Sequence, residues 1–216
     1  MKKLLYKEMR LSANPLSYWF ITFSAMTMIP RYPILVGSFF ICLGIFYTYQ
    51  QVRECDDITY TVMLPVRKHD VVTAKYLFVL LIELVAFVLC ALLTIIRMKT
   101  LGNAAPYVTN QLMNANAAYL GYIMLVFATF NSIFLAGFFK TAYKIGKPFI
   151  LFCVVGTIIV LMGEVSHHIP GLESLNDPAN LSIPQVVILL IGIVMFKLCT
   201  WFSYQKAIKD FEKLDL

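Results

Sequence analysis

Apolar residues in this chain gather in long runs, and short polar stretches between them carry most of the charge. A helix of roughly 20 apolar residues crosses a bilayer core of about 30 Å, with about 17–25 observed. Six segments approach that length, at residues 15–29, 34–52, 71–96, 117–139, 148–165 and 183–204. The third, fourth and sixth are long enough alone. The first is short and rich in Ser and Thr, so by itself it also fits a re-entrant or interfacial segment. Its neighbour favours a crossing, because Pro30-Arg31-Tyr32-Pro33 is a four-residue connection with a proline at each end, suited to a tight hairpin of two helices. The expected fold is an all-α integral membrane protein: one transmembrane domain over residues 1–216 with six transmembrane helices.

Charge tests this pattern independently. An even number of spans puts both termini on one side, and Lys and Arg concentrate on cytoplasmic loops. With the N-terminus inside, fourteen of the eighteen Lys and Arg fall on the cytoplasmic side and only Arg31, Arg97 and Lys99 outside. Lys197 lies within the sixth span, and the stretch 166–182 has no Lys or Arg and is expected outside. The first dozen residues set Leu4, Leu5, Met9 and Leu11 among basic residues, as in a helix lying on anionic membrane lipid. Lys7, Glu8 and Arg10 interrupt the early apolar stretch, so a cleaved leader is not expected. Tyr204, Ile208, Phe211 and Leu214 continue the sixth helix into the cytosol at helical spacing.

Composition agrees with a lipid solvent: 60% of residues are hydrophobic and 14% charged, against roughly 45–50% and about 25% in globular proteins. The net charge of +6 does not indicate nucleic acid, because the basic residues form small clusters between apolar runs. Cys42, Cys55, Cys90, Cys153 and Cys199 are scattered with no CxxC pair, so neither a disulfide nor a metal site is expected.

Little in the chain points to catalysis, and no catalytic residue is assigned. No phosphate-binding GxxxxGK[ST] is present; Ile145-Gly146-Lys147-Pro148 lacks the hydroxyl residue and the upstream glycine. His167 and His168 follow Glu164 without a metal-binding spacing and read as solvent-facing loop residues. Glu83 differs. It lies near the middle of the third span, about 18 Å from Val71, where a carboxylate is costly and marks a functional site by default. The alternative is a protonated acid bonded to a neighbouring helix, with Asn131 or Thr129 at comparable depth. Gly37 and Gly44, seven apart on one face of the second span, suit close helix packing.

The stretch between the second and third spans, residues 53–76, reads as a polar helix, a break at Pro65, and a basic cluster leading into the next helix. Ile58, Val62 and Pro65 fall on one side with Tyr60, Met63 and Leu64 nearby, so a short helix there exposes apolar side chains, either to a partner's groove or to the membrane surface. These residues resemble the type-2 ABC transporter permeases, whose first cytosolic loop carries an acidic-rich helix, Leu-Pro-Val-x-Arg, then Val-x-x-x-Lys. Here the run is Leu64-Pro65-Val66-Arg67-Lys68 and Val71-Val72-Thr73-Ala74-Lys75, with the basic residue one position early. The resemblance covers the whole chain and is greatest to the short six-span bacterial permeases of peptide, bacteriocin or amphipathic-peptide exporters.

It implies a plasma-membrane exporter subunit without catalysis of its own, whose coupling helix near Ile58, Tyr60, Met63, Leu64, Pro65, Arg67 and Lys68 docks on a cytosolic ATPase. That ATPase binds ATP and Mg, and the permease pairs with a second one, identical or not. The alternatives are an intramembrane enzyme built on Glu83 or a non-transporting immunity or sensor protein.

Overall fold

A computed structural model describes residues 2–214, and among them every regular element is helical. Helix α1 runs over Lys2–Lys7 and continues as one wide π turn, Glu8–Ser12. Extended backbone at Ala13 ends it, and the Asn14 side chain then accepts a hydrogen bond from Leu16 N, capping α2 (Pro15–Trp19), whose first residue is a proline with no N–H to satisfy. Helix α2 passes without a break into a 3₁₀ helix, Phe20–Met28. Because 3₁₀ geometry rises about 2.0 Å per residue against 1.5 Å in an α-helix, this short segment reaches roughly 25 Å.

Helix α3 (Val36–Glu54) packs back along it. A Cβ on Gly37 would stand 3.1 Å from Phe23 O, and one on Gly44 would stand 2.8 Å from Phe20 Cβ, so the face carrying these two glycines lies on the α2 hairpin partner. Asp56, in left-handed backbone at φ 49°, turns the chain into the short helix α4 (Asp57–Met63). Helix α5 follows as an unbroken 34-residue rod, Lys68–Leu101, about 51 Å long. Beyond one turn of helix, α6 (Ala105–Val108), Asn116 caps α7, which spans Ala117–Phe139. A π turn at Asn131–Leu135 interrupts α7. Helices α8 (Gly146–Ser166) and α9 (Ile183–Glu212) complete the bundle, joined by a loop with a 3₁₀ turn at Glu173–Asn176.

Four helices, α5, α7, α8 and α9, are long and apolar enough to cross a membrane. The hairpin of α2 and α3 is not among them: α2 is short, and α3 ends in the polar run Gln50-Gln51-Val52-Arg53-Glu54. Helix α7 is central, with 72% of its apolar window buried against 33% for α5 and 17% for α8 and α9. Around its π turn Phe46, Tyr49, Phe130, Phe134, Phe149 and Phe152 form an aromatic core, with Phe46 stacked on Phe149 at 3.9 Å and Tyr49 edge-on to Phe134 at 5.3 Å. The last turns of α9 extend the core, as Phe211 packs edge-on against Phe139 at 5.6 Å.

At the end away from α4, asparagines knit two loops into a cap. Asn176 Nδ2 donates to Asn110 O and Leu112 O, Asn114 Nδ2 to Tyr107 O and Asn176 O, and Asn116 Nδ2 to Leu175 O. The cap also buries a charge and overturns one sequence expectation. Arg97 is 1% exposed: its guanidinium donates to Thr27 O and to Asn114 Oδ1 (2.9 Å) and lies 4.5 Å above the Tyr107 ring. His167, read as solvent-facing, is buried with Nε2 3.0 Å from Gln111 O; only His168 is exposed.

The closest backbone approach joins α7 to α9. A Cβ on Gly121 would stand 2.5 Å from Ile188 O, and one on Gly192 would overlap Gly121 O. Small residues facing each other in this way let two membrane helices meet along their backbones. Overpacking a tight core costs about 1–3 kcal/mol. Gly192→Leu should therefore lower the thermal melting point of the purified protein or abolish its folding. Gly146→Ala, whose new Cβ meets nothing within 4 Å, should leave the melting point unchanged.

Candidate functional site

At the basic end of the bundle a cluster of buried charges holds the short helix α4. Lys75, one turn into the apolar part of α5, is 2% exposed, and its Nζ donates to Glu8 Oε2 at 2.8 Å and to Asp57 Oδ2 at 3.0 Å. Glu8 comes from the π turn of α1 and Asp57 from the first turn of α4. Lys7 adds a second cation: its Nζ pairs with Asp57 Oδ1 and with Glu8 Oε1 (3.2 Å), and donates to Thr61 Oγ1 at 2.7 Å. Ser12 Oγ donates to Asp57 Oδ1 at 3.1 Å. Two ammonium groups thus face two carboxylates, with hydroxyls taking up remaining positions, and this compensation permits charge at such burial. Burial pushes the Asp57 carboxyl up, but the Lys75 and Lys7 ammonium groups outweigh it and hold the group below its ordinary range.

With its acidic side fixed inward, α4 turns the other side out. Tyr60 is 64% exposed and Met63 79%, with Leu64 beside them at the helix end, where Pro65 follows. Ile58 corrects the sequence reading: it is buried in the core, and Val62 packs against that core. Two further contacts fix the mount. Thr59 Oγ1 lies 2.6 Å from Tyr143 OH in the turn between α7 and α8, and Val66 N closes a tight turn around Pro65 by donating to Leu64 O at 2.7 Å. The basic pair is partly engaged within the chain, Arg67 in a two-bond contact with Asp70 (3.0 and 3.2 Å) and Lys68 donating to Leu214 O. Arg67 remains largely exposed.

The second polar site lies deep among the apolar helices. Glu83 of α5 is 1% exposed; it accepts a hydrogen bond from Asn131 Nδ2 at 3.0 Å, and the same nitrogen donates to Thr200 Oγ1 of α9 at 3.1 Å. Asn131 opens the π turn of α7, and its carbonyl accepts from Ser203 Oγ of α9. The same carbonyl accepts the π-turn bond from Ala136 N, so Ser203 takes its second lone pair. Of the two partners weighed for Glu83 from sequence, Asn131 makes the contact; Thr129 instead donates to Leu125 O in its own helix.

Sequence reasoning did not find Glu8, Asp57 and Lys75 as a group. The signal available was Lys75 itself, a lysine inside an apolar helix start, which requires a counter-charge wherever it is buried.

A model of the ABC-2 family transporter proteins matches residues 3–212. The chain belongs to that family. No curated protein and no solved structure matches it. This ABC-2 permease is a multi-pass membrane protein, and its kind is the membrane-spanning component of an ABC transporter rather than an enzyme. The match spans both polar sites, so the charge cluster and the Glu83–Asn131 pair belong to the transporter domain itself.

Removing one partner of a buried ion pair costs about 3–5 kcal/mol because the other charge is left uncompensated. Lys75→Met should therefore destabilise the permease by roughly that amount, and adding Glu8→Gln should recover part of the loss, measured as melting temperatures of the two variants in the same detergent. The Asp57 contribution follows pH with a defined sign. Its folded-state carboxyl is depressed, so the stabilisation is complete above the ordinary carboxylate pKa, about 3.9, and is lost as pH falls through the lower folded value. Asp57→Asn should flatten that acid limb of the melting profile.

Proposed function

We propose that this chain is the permease subunit of an ATP-driven exporter, pairing with a second copy or a related permease and working with a separate cytosolic ATPase that binds ATP and Mg. In this reading all six apolar segments cross the plasma membrane, both termini are cytoplasmic, and the cargo is an amphipathic or hydrophobic molecule such as a peptide. The observation that carries the proposal is the presentation of α4. Tyr60, Met63 and Leu64 project from a helix whose opposite side is tied by ions to α1 and α5. An exposed aromatic and two aliphatic side chains on a stiff mount match the anchor residues of a protein interface. A surface helix free to roll would transmit no movement; this one is fixed at Asp57, at Thr59 and at the Pro65 turn. Arg67, exposed beside it, supplies charge for partner carboxylates.

Truncating central interface anchors typically costs more than about 1 kcal/mol each, and the largest losses fall on aromatics. Tyr60→Ala with Met63→Ala should leave membrane insertion and melting temperature unchanged while the co-purifying ATPase is lost. Ile58→Ala should do the reverse, lowering stability, because that side chain is buried within the chain. A double variant that still retained and stimulated the ATPase would rule out this docking site.

Orientation has its own test. A cysteine placed at exposed Ser174 should react with a membrane-impermeant thiol reagent in whole cells, while one at exposed Lys209 should react only after permeabilisation. Labelling of both from outside would refute the shared cytoplasmic side of α4 and the C-terminal helix.

A further inference from the structure

The Glu83 site contains two acceptors that the protein does not use. Glu83 Oε1 and Asn131 Oδ1 are both buried and have no hydrogen-bond partner among the described residues. The single donor between the two side chains, Asn131 Nδ2, is consumed by Glu83 Oε2 and Thr200 Oγ1. Of the two residues, Glu83 lines a cavity and Asn131 does not, so the unused Glu83 oxygen is the acceptor that a donor entering there would meet, and a carboxylate favours a positive one.

There is room for such a group. Glu83 lines a cavity of about 180 Å³ whose remaining walls are Leu80, Leu84, Met124, Phe127 and Phe196. Leu80 and Phe196 also line a groove of about 420 Å³ between α5 and α9, which passes Thr200 and Trp201 and ends at Thr73 and Tyr204, at the basic end of the bundle. That volume falls in the range of about 300–1,000 Å³ usual for small-molecule sites. The groove is apolar along its length, and at Leu80 and Phe196 it shares walls with the cavity that Glu83 lines. Lys197 stands on the groove wall but is exposed and unpaired among the described residues, and its long stem lets the ammonium reach out toward lipid headgroups.

We infer that this groove binds a primary alkylammonium amphiphile, with the ammonium passing Leu80 and Phe196 to donate to Glu83 Oε1 and the apolar chain lying between α5 and α9. This deepens the exporter reading and rests on it for the idea that the ligand is cargo, but the site itself stands on the geometry of one chain. A primary ammonium brings both charge and N–H donors to the unused Glu83 oxygen; a quaternary ammonium offers charge without donors, and an alcohol of equal length offers the chain with a single neutral donor.

Trp201 lines the groove, and Trp19 is the other tryptophan of the chain, so a Trp19→Phe protein reports on the groove alone. In phosphatidylcholine nanodiscs, without ATP or any ATPase, 12-bromododecylammonium should quench Trp201 saturably. The brominated alcohol should need at least ~10-fold more for the same quenching, and the trimethylammonium analogue should fall between them. Glu83→Gln, which keeps a similar shape, should bring the ammonium to the level of the alcohol. Equal quenching by ammonium and alcohol in the Glu83 protein would overturn the inference without using any variant of the site. So would full ammonium preference in a folded Glu83→Gln protein. If that variant does not fold, Leu80→Phe, which narrows the passage without touching the acid, decides: saturable quenching should vanish, and its persistence overturns the groove as the path. Because the assay needs no partner, its failure is distinct from failure of the exporter reading, which is scored by ATPase co-purification.

Discussion

Charge compensation at Lys75 is the constraint on which the basic end of this permease depends. An ammonium group at that depth in α5 is tolerated only with carboxylates brought to it, and Glu8 and Asp57 arrive from two separate segments. Helix α1 is thereby held against α5, and α4 is fixed with one side inward. The exposed faces follow from this. Tyr6 of α1 and Met9 and Leu11 of its π turn are left outward, as are Tyr60 and Met63 of α4. Buried ion pairs are weak contributors to net stability but strong specifiers of arrangement when a missing partner leaves a bare charge. That is the role this cluster has: it selects one orientation of a seven-residue helix that is far too short to hold itself.

The deep polar site obeys the same rule with neutral groups. Asn131, Thr200 and Ser203 give Glu83 a hydrogen-bonded setting, and the Asn131 carbonyl accepts from Ser203 in addition to Ala136 N. Helices α5, α7 and α9 are therefore joined by polar bonds near their middles, while α7 and α9 also touch through Gly121 and Gly192. Unlike the cluster at Lys75, this one is incompletely satisfied. The difference separates a site that fixes structure from one with capacity left over.

Much of the helical plan was legible in the sequence because long apolar runs report directly on solvent. The boundaries expected at 117–139, 148–165 and 183–204 lie close to α7, α8 and α9, and the last helix continues past Tyr204 as its apolar spacing required. Pro65 and the acidic residues before it marked α4. What the sequence did not disclose were pairings between distant positions: Lys75 meets Glu8 across 67 residues, and no local pattern encodes that. Ile58 was misread for a related reason, since two turns of helix offer too few positions to tell the buried side from the free one. The burial of Arg97 was not legible either, because Tyr107 of α6 and Asn114 of the following loop reach it only through tertiary packing.

Helix α5 is pinned by a cation at each end, Lys75 to α1 and α4, and Arg97 to Thr27 and the asparagine cap. The two lie 22 positions apart on one unbroken helix, about 33 Å. A rod of that fixed length fits a hydrocarbon core of about 30 Å at a tilt of roughly 25°, and one of about 27 Å at roughly 35°. Because Lys75 of this rod also holds Asp57, any change in the tilt of α5 carries the α4 face of Tyr60 and Met63 with it.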